Sequence, residues 1–410
     1  MLTFEQKLHN YADIIVKIGA NIQPGQSLML NATIESPELA RLVVKKAYEA
    51  GAYQVKVVWM DDVVSRIRYD LAPEQSFLEV PTWSAGEKLE MAEKGAAAVT
   101  ISSADPDLLK GVPQERIRNA DRVLRQSNEK YRQLSQAFKF SWSLATVPSA
   151  AWAAKVFPNL PQEEQVPALW DAIFKMVRAD QPDPIAAWEA HILQLRSKAT
   201  YLTEKQYKQL HYTAPGTDLT IEMPADHVWL GGSKANGQGV WFVPNLPTEE
   251  VYSAPLRTGV NGTVSSTKPL SYNGNIIDRF SFTFENGRAV SATAEQGEEA
   301  LQGLLETDEG AKYLGEIALV PHRSPISESN ILFYKTLFDE NASCHLAVGS
   351  AYASCVKGGA DLSQEQLLER GLNRSMAHTD FMVGSAELNI YGVTHDGTKE
   401  PILINGNWAF

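Results

Sequence analysis

Apolar positions in the first half of the chain repeat at helical and strand periods in alternation. Phe4, Leu8, Tyr11, Ile15 and Ile18 recur every three or four residues, the spacing of one helix face. Pro24-Gly25 then turns the chain into an apolar run over 27–31 that reads as a buried strand. Ser36 at a cap position and Pro37 at the first helical position start a helix through Leu39, Val43 and Ala47, which Gly51 ends. Further strands are predicted at 54–59, 97–102 and 140–146, with helical segments between them. This alternation predicts an α/β N-terminal domain, a doubly wound parallel sheet covered by helices, over residues 1–200. Helices over about 163–179 and 184–198 present Leu169, Ile173 and Met176, then Trp188, Ile192 and Leu195, as packing faces.

From about Tyr201 the period becomes two. Residues 219–223 and 280–284 alternate, and Asn286-Gly287 after the latter is a two-residue hairpin turn into a strand over 289–294. Asp396-Gly397 repeats the device. Helices are predicted near 295–306 and 364–374. Residues 201–410 therefore read as an α+β, β-rich C-terminal domain. The Gly-rich stretch Gly231-Gly232-Ser233-Lys234-Ala235-Asn236-Gly237-Gln238-Gly239 matches no phosphate-loop spacing and reads as a mobile hairpin connection. With no Gly-x-Gly-x-x-Gly after the first strand, a nucleotide role is not supported.

Composition narrows the class. At 410 residues and 44% hydrophobic content the chain is long enough for two or three well-buried cores. Its 37 basic against 49 acidic side chains give a formal charge of -12, which argues against nucleic acid or an anionic membrane as partner. Two cysteines, Cys344 and Cys355, make no disulfide framework and fit a reducing, cytoplasmic setting. Glu5 and Asp13 interrupt the N-terminal apolar residues, so no signal peptide is read there. No apolar run reaches the roughly 18 residues of a membrane span.

Candidate chemistry concentrates near the C-terminus. His378-Thr379-Asp380 lies in strand-forming sequence, where residues two apart share a face, so His378 and Asp380 aim at one point. Asp339-Glu340-Asn341-Ala342-Ser343-Cys344-His345 supplies further acids and an imidazole, and strand alternation points Cys344 away from His345. Pro247-Thr248-Glu249-Glu250-Val251 holds two acids beside a ring that stiffens the backbone, and Gly315-Glu316-Ile317-Ala318 sets one at the head of an apolar strand. A buried carboxylate there must be solvated, paired or bound to a cation. His9, His191, His211, His227, His322 and His395 have no carboxylate in a strand-compatible pattern and read as structural.

These four motifs, in this order and continuing to Gly349-Ser350-Ala351-Tyr352, resemble the aminopeptidase T family, which includes aminopeptidase S and PepS. The resemblance extends over essentially the whole chain. It implies a metal-dependent exopeptidase that removes the N-terminal residue of peptides carrying a free N-terminus, and a homodimer. It also implies that Glu250, Glu316, Glu340, His345, His378 and Asp380 hold two divalent metal ions in the C-terminal domain. By the same resemblance Tyr352 is expected beside them as a catalytic group, Glu316 as catalytic as well as a ligand, and Glu249 not as a ligand. Four carboxylates and two imidazoles exceed the needs of one tetrahedral zinc and suit two cations, whether zinc, cobalt or manganese. Two other classes remain open on the residues alone: a non-enzymatic two-domain binding protein with a structural cation, and a two-metal amidase acting on a blocked small molecule.

Overall fold

The structure, a computed structural model, describes residues 2–103, 105, 107–272 and 275–410. The chain forms two compact units, one of residues 1–190 with 233–247 and one of residues 191–232 with 248–410.

In the first unit, four strands run parallel: β1 (Leu28–Thr33), β2 (Val55–Met60), β3 (Ala97–Ser102) and β4 (Trp142–Thr146). Their order is β2-β1-β3-β4. The chain moves to one side of β1 and then to the other, the reversal of strand order that a doubly wound sheet makes. β1 and β3 read as almost unbroken apolar runs because both of their faces are covered. The opening helix, Phe4–Ile14, starts at Thr3, whose hydroxyl accepts from the Gln6 amide while the Gln6 side chain caps Thr3 in return. The next helix, Pro37–Glu49, has Ser36 in the expected cap position, yet the Ser36 hydroxyl makes no capping bond. Its ψ of 74° departs from the extended geometry that aims a cap side chain at the first turn.

The Gly-rich stretch forms a hairpin in which Lys234 pairs with Phe242 and Ala235 with Trp241. Asn236 braces it, accepting from the Gln238 and Val240 amides and donating to Ser141 Oγ at 3.0 Å.

The second unit is built on two antiparallel sheets. The larger has nine strands, in the order 270–272, 275–285, 260–265, 217–222, 209–214, 389–393, 399–404 and 407–408, with 288–296 also paired to 275–285. Asn286 and Gly287 turn that last pair with φ of 48° and 84°, the two positive values a tight hairpin demands. The smaller sheet comprises β5 (Leu230–Gly231), β6 (Val251–Ser253), β7 (Leu314–Leu319), β8 (His345–Gly349) and β9 (His378–Met382), in the order β9-β8-β7-β6-β5. Its apolar side chains Ile317, Leu319, Leu346, Val348 and Phe381 join Phe280, Phe282 and Phe284 of the larger sheet in one core. Phe381 meets Phe282 with ring centroids 5.0 Å apart. Among the described residues no helix is long and apolar enough to cross a membrane.

Candidate metal centre

Strand alternation assigns the other face of the small sheet. Ile317 and Leu319 enter the core, so Glu316 and Ala318 leave it; Leu346 and Val348 enter, so His345 and Ala347 leave; Phe381 enters, so Asp380 leaves. One irregularity is essential to this arrangement. Leu314 also enters the core, and in a regular strand Glu316, two residues on, would follow it. A bulge between Leu314 and Glu316 inserts Gly315 and turns Glu316 to the polar face. Glycine is required there, since a Cβ would stand 2.3 Å from the Gly349 carbonyl oxygen.

Register then assembles the residues. Ala347 is paired with Glu316 on one side and Asp380 on the other, so a methyl group separates two acids in one row. His345 is paired with Ala318, and His378 with Gly349. Alanine or glycine is thus a ladder partner of each of these acids and imidazoles.

The side chains form two triads. Ligand atoms of Glu250, Glu316 and His345 lie within 4.8 Å of one another, as do those of Glu316, His378 and Asp380. Glu316 belongs to both. His345 Nε2 is 3.2 Å from Glu250 and 3.9 Å from Glu316, and His378 Nε2 is 3.5 Å from both Glu316 and Asp380. Each imidazole donates its Nδ1 hydrogen to a backbone carbonyl, His345 to Ser343 at 3.1 Å and His378 to Ser350 at 2.8 Å. That bond orients the ring and leaves Nε2 as the coordinating atom. Glu340 lies outside both triads, but the charges of Asp380, Glu250, His345 and Glu316 act on it. The Tyr352 ring packs between Tyr252 at 5.8 Å and His378 at 5.4 Å.

The electrostatics favour positive charge at this place. Burial would push the imidazoles down, yet the surrounding carboxylates outweigh it and raise His345 and His378 to about 10. Burial, reinforced by Asp380 and Glu250, lifts Glu316 to about 8 and, with the neighbouring acids, lifts Glu340 well above the usual range. Asp380 is pushed up by burial but held low overall by the two imidazoles. Protons that collect on such a cluster are exchanged for metal when a cation binds. Four acids, two oriented imidazoles and a field that attracts cations make a donor set that fits divalent metal.

Of the other expected residues, Glu249 is buried but turned away, its carboxylate 3.5 Å from His191. Cys344 is buried on the far side, bonded through Sγ to Val320. Two histidines read as lacking acid partners have them: His191 with Glu249, and His211 with Asp218 at 2.8 Å on the neighbouring strand. Neither pair was visible in sequence, because the His191 pair joins a helix to a distant loop and the His211 pair lies diagonally across a ladder.

A bulge-aimed acid shared by two acid–imidazole triads on a polar sheet face is the candidate centre of a metalloenzyme. Residues 4–408 match the family described as thermophilic metalloprotease (M29), and the chain belongs to it. Over 410 residues it is 51% identical to aminopeptidase AmpS of Bacillus subtilis (strain 168), covering 100% of both chains. It is 52% identical to aminopeptidase 2 of Geobacillus stearothermophilus, over 100% of this chain and 99% of that one. The solved structure of wild-type AmpT from Thermus thermophilus is similar with a TM-score of 0.94 at 38% identity, over 100% of each chain.

Proposed function

We propose that Glu250, Glu316, Glu340, His345, His378 and Asp380 hold two divalent cations, and that this centre releases the N-terminal residue of peptides. The chain is a metal-dependent aminopeptidase, in keeping with its metalloprotease family and with full-length relatives that bear that name. The observation that carries the two-ion reading is the sharing of Glu316 by both triads. Bound there, the cations would make water more acidic and draw electron density from a peptide carbonyl.

The remaining work belongs to the chain's own residues. The Ser343 and Ser350 carbonyls hold both imidazoles with Nε2 inward, so the site is set before substrate arrives. Glu316 stands between the triads with one carboxylate oxygen toward each imidazole, so it would hold both cation positions in register and is catalytic through them. The Tyr352 hydroxyl donates to the carbonyl oxygen as negative charge grows on it. The resemblance noted in the motifs supports a homodimer, the carboxylate-rich donor set suits zinc, cobalt or manganese, and two free cysteines fit a cytoplasmic location. All six candidate ligands lie in the second unit, which differs from the expected domain 201–410 in starting at 191 and lacking 233–247.

A paired assay tests the function. An unblocked dipeptide and its N-acetylated counterpart are incubated with the protein, with and without a chelator. Cleavage of the unblocked dipeptide alone, abolished by chelator and restored by metal, is expected. Cleavage of the blocked compound would make the enzyme an amidase. Cleavage of neither by metal-loaded protein would favour a binding protein.

A further inference from the structure

Four of the six acids and imidazoles are held by strand ladders: Glu316 on β7, His345 on β8, His378 and Asp380 on β9. Glu250 and Glu340 are not. Glu250 precedes β6, a strand of three residues, and Glu340 opens a three-residue 3-10 turn, Glu340–Ala342. Glu250 stands one residue before the ladder of β6, and the turn that opens at Glu340 has no ladder.

One side chain touches both. Asn341 is fully buried, at 0% exposure. Its Oδ1 accepts from the Glu249 amide at 2.7 Å, fixing the backbone next to Glu250. Its Nδ2 donates to the Leu337 carbonyl at 2.9 Å and, by a longer arm, to Glu340 Oε1 at 3.4 Å. The amide thereby uses its two hydrogens and its acceptor together. No other residue type of that size presents an acceptor to one segment and donors to the other.

We propose that Asn341 is a positioning residue that sets Glu250 and Glu340, joining the two acids of the centre that lie outside the ladders. It touches no reacting atom and acts through the carboxylates, as partners behind metal ligands do. The proposal rests on the metal-binding reading of those two acids.

The test measures zinc affinity by competition with a chromophoric chelator, and the melting temperature with and without zinc, for the parent and four variants. Asn341→Ala is expected to weaken zinc binding 10- to 100-fold, the range typical for loss of a partner behind a ligand. It should also lose most of the zinc-induced rise in melting temperature. Asn236→Ala removes a buried amide of the other unit and should lower the metal-free melting temperature with zinc affinity at the parent value. Glu250→Gln should weaken zinc directly. Where Asn341→Ala does not survive metal removal, zinc release from the loaded variant into excess chelator is timed, and release at least tenfold faster than the parent is expected. Asn341→Ser, which fills part of the cavity, carries the same expectation. Parent-like zinc affinity and release in the Asn341 variants, with Glu250→Gln impaired, would overturn the role of Asn341 alone. A parent that binds no zinc, or an unimpaired Glu250→Gln, would overturn the metal-binding reading beneath it.

Discussion

Glu316→Gln is the sharpest single perturbation of this centre, because it keeps shape while removing one charge from both triads. The carboxylate is 3.9 Å from His345 Nε2 and 3.5 Å from His378 Nε2. At an effective dielectric constant of about 20, unit charges at these separations attract by roughly 4 to 5 kcal/mol each, and a divalent cation at similar range by more. Desolvation offsets much of this gross energy, since Glu316 is buried. Neutralising one buried partner typically leaves a net loss of about 3 kcal/mol, or roughly a hundredfold in zinc affinity. Metal-free protein should respond little. Without a cation, burial and the charges of Asp380 and Glu250 disfavour the ionised form and lift Glu316 to about 8, so near pH 7 the acid is already mostly protonated and an uncharged isostere changes its charge little. The variant should melt no lower than the parent in chelator and well below it in saturating zinc. Differential scanning calorimetry in both conditions, with elemental analysis for metal content, reads the contrast. Two tightly held equivalents of zinc in Glu316→Gln would refute the reasoning.

Three further outcomes are expected. Tyr352→Phe keeps the ring between Tyr252 and His378, so kcat should fall on the order of a hundredfold, about 2.7 kcal/mol, with KM, metal content and melting temperature nearly unchanged; turnover at the parent rate would exclude a catalytic hydroxyl. Glu250→Ala should cost zinc affinity while Glu249→Ala should not, because adjacent residues of an extended segment face opposite ways and only Glu250 joins a triad; equal losses, measured by the same chelator competition, would contradict that division. Burial pushes the Asp308 carboxyl up, but bonds from the Met376 amide, Ser375 hydroxyl and Ala311 amide more than offset it and hold the group below its ordinary value of 3.8. Its stabilisation is therefore present above that value and lost as pH falls through the lower folded one. Asp308→Asn should cost about 1 kcal/mol in urea unfolding of metal-free protein at pH 7, and the difference should shrink below about pH 4; a pH-independent difference would show that the charge plays no part.

Local pattern carried much of this protein. The alternation of helical and strand periods predicted β1 to β4, because a parallel strand covered on both faces must be apolar throughout, and β1 and β3 are. Asn286-Gly287 announced its hairpin because few other residue pairs accept two positive φ values. The spacing of His378 and Asp380 placed them on one face, since strand parity is a property of adjacent residues and needs no partner. The motifs also carried the family. Parity alone, however, would have sent Glu316 into the core beside Leu314. Only pairing with β8 decided that Gly315 is bulged out and Glu316 faces His345 and His378. The meeting of Glu250, Glu316 and His345 depends likewise on which strands lie side by side, and the return of 233–247 to the first unit depends on packing. Asn341 shows the division most plainly. In sequence it is an uncharged residue between an acid and an alanine, and its bond to the Glu249 amide exists only because the chain brings a segment 92 residues away against it. Periodicity reports the directions in which neighbouring side chains point, whereas contacts across long loops are set by the register and burial of the whole unit.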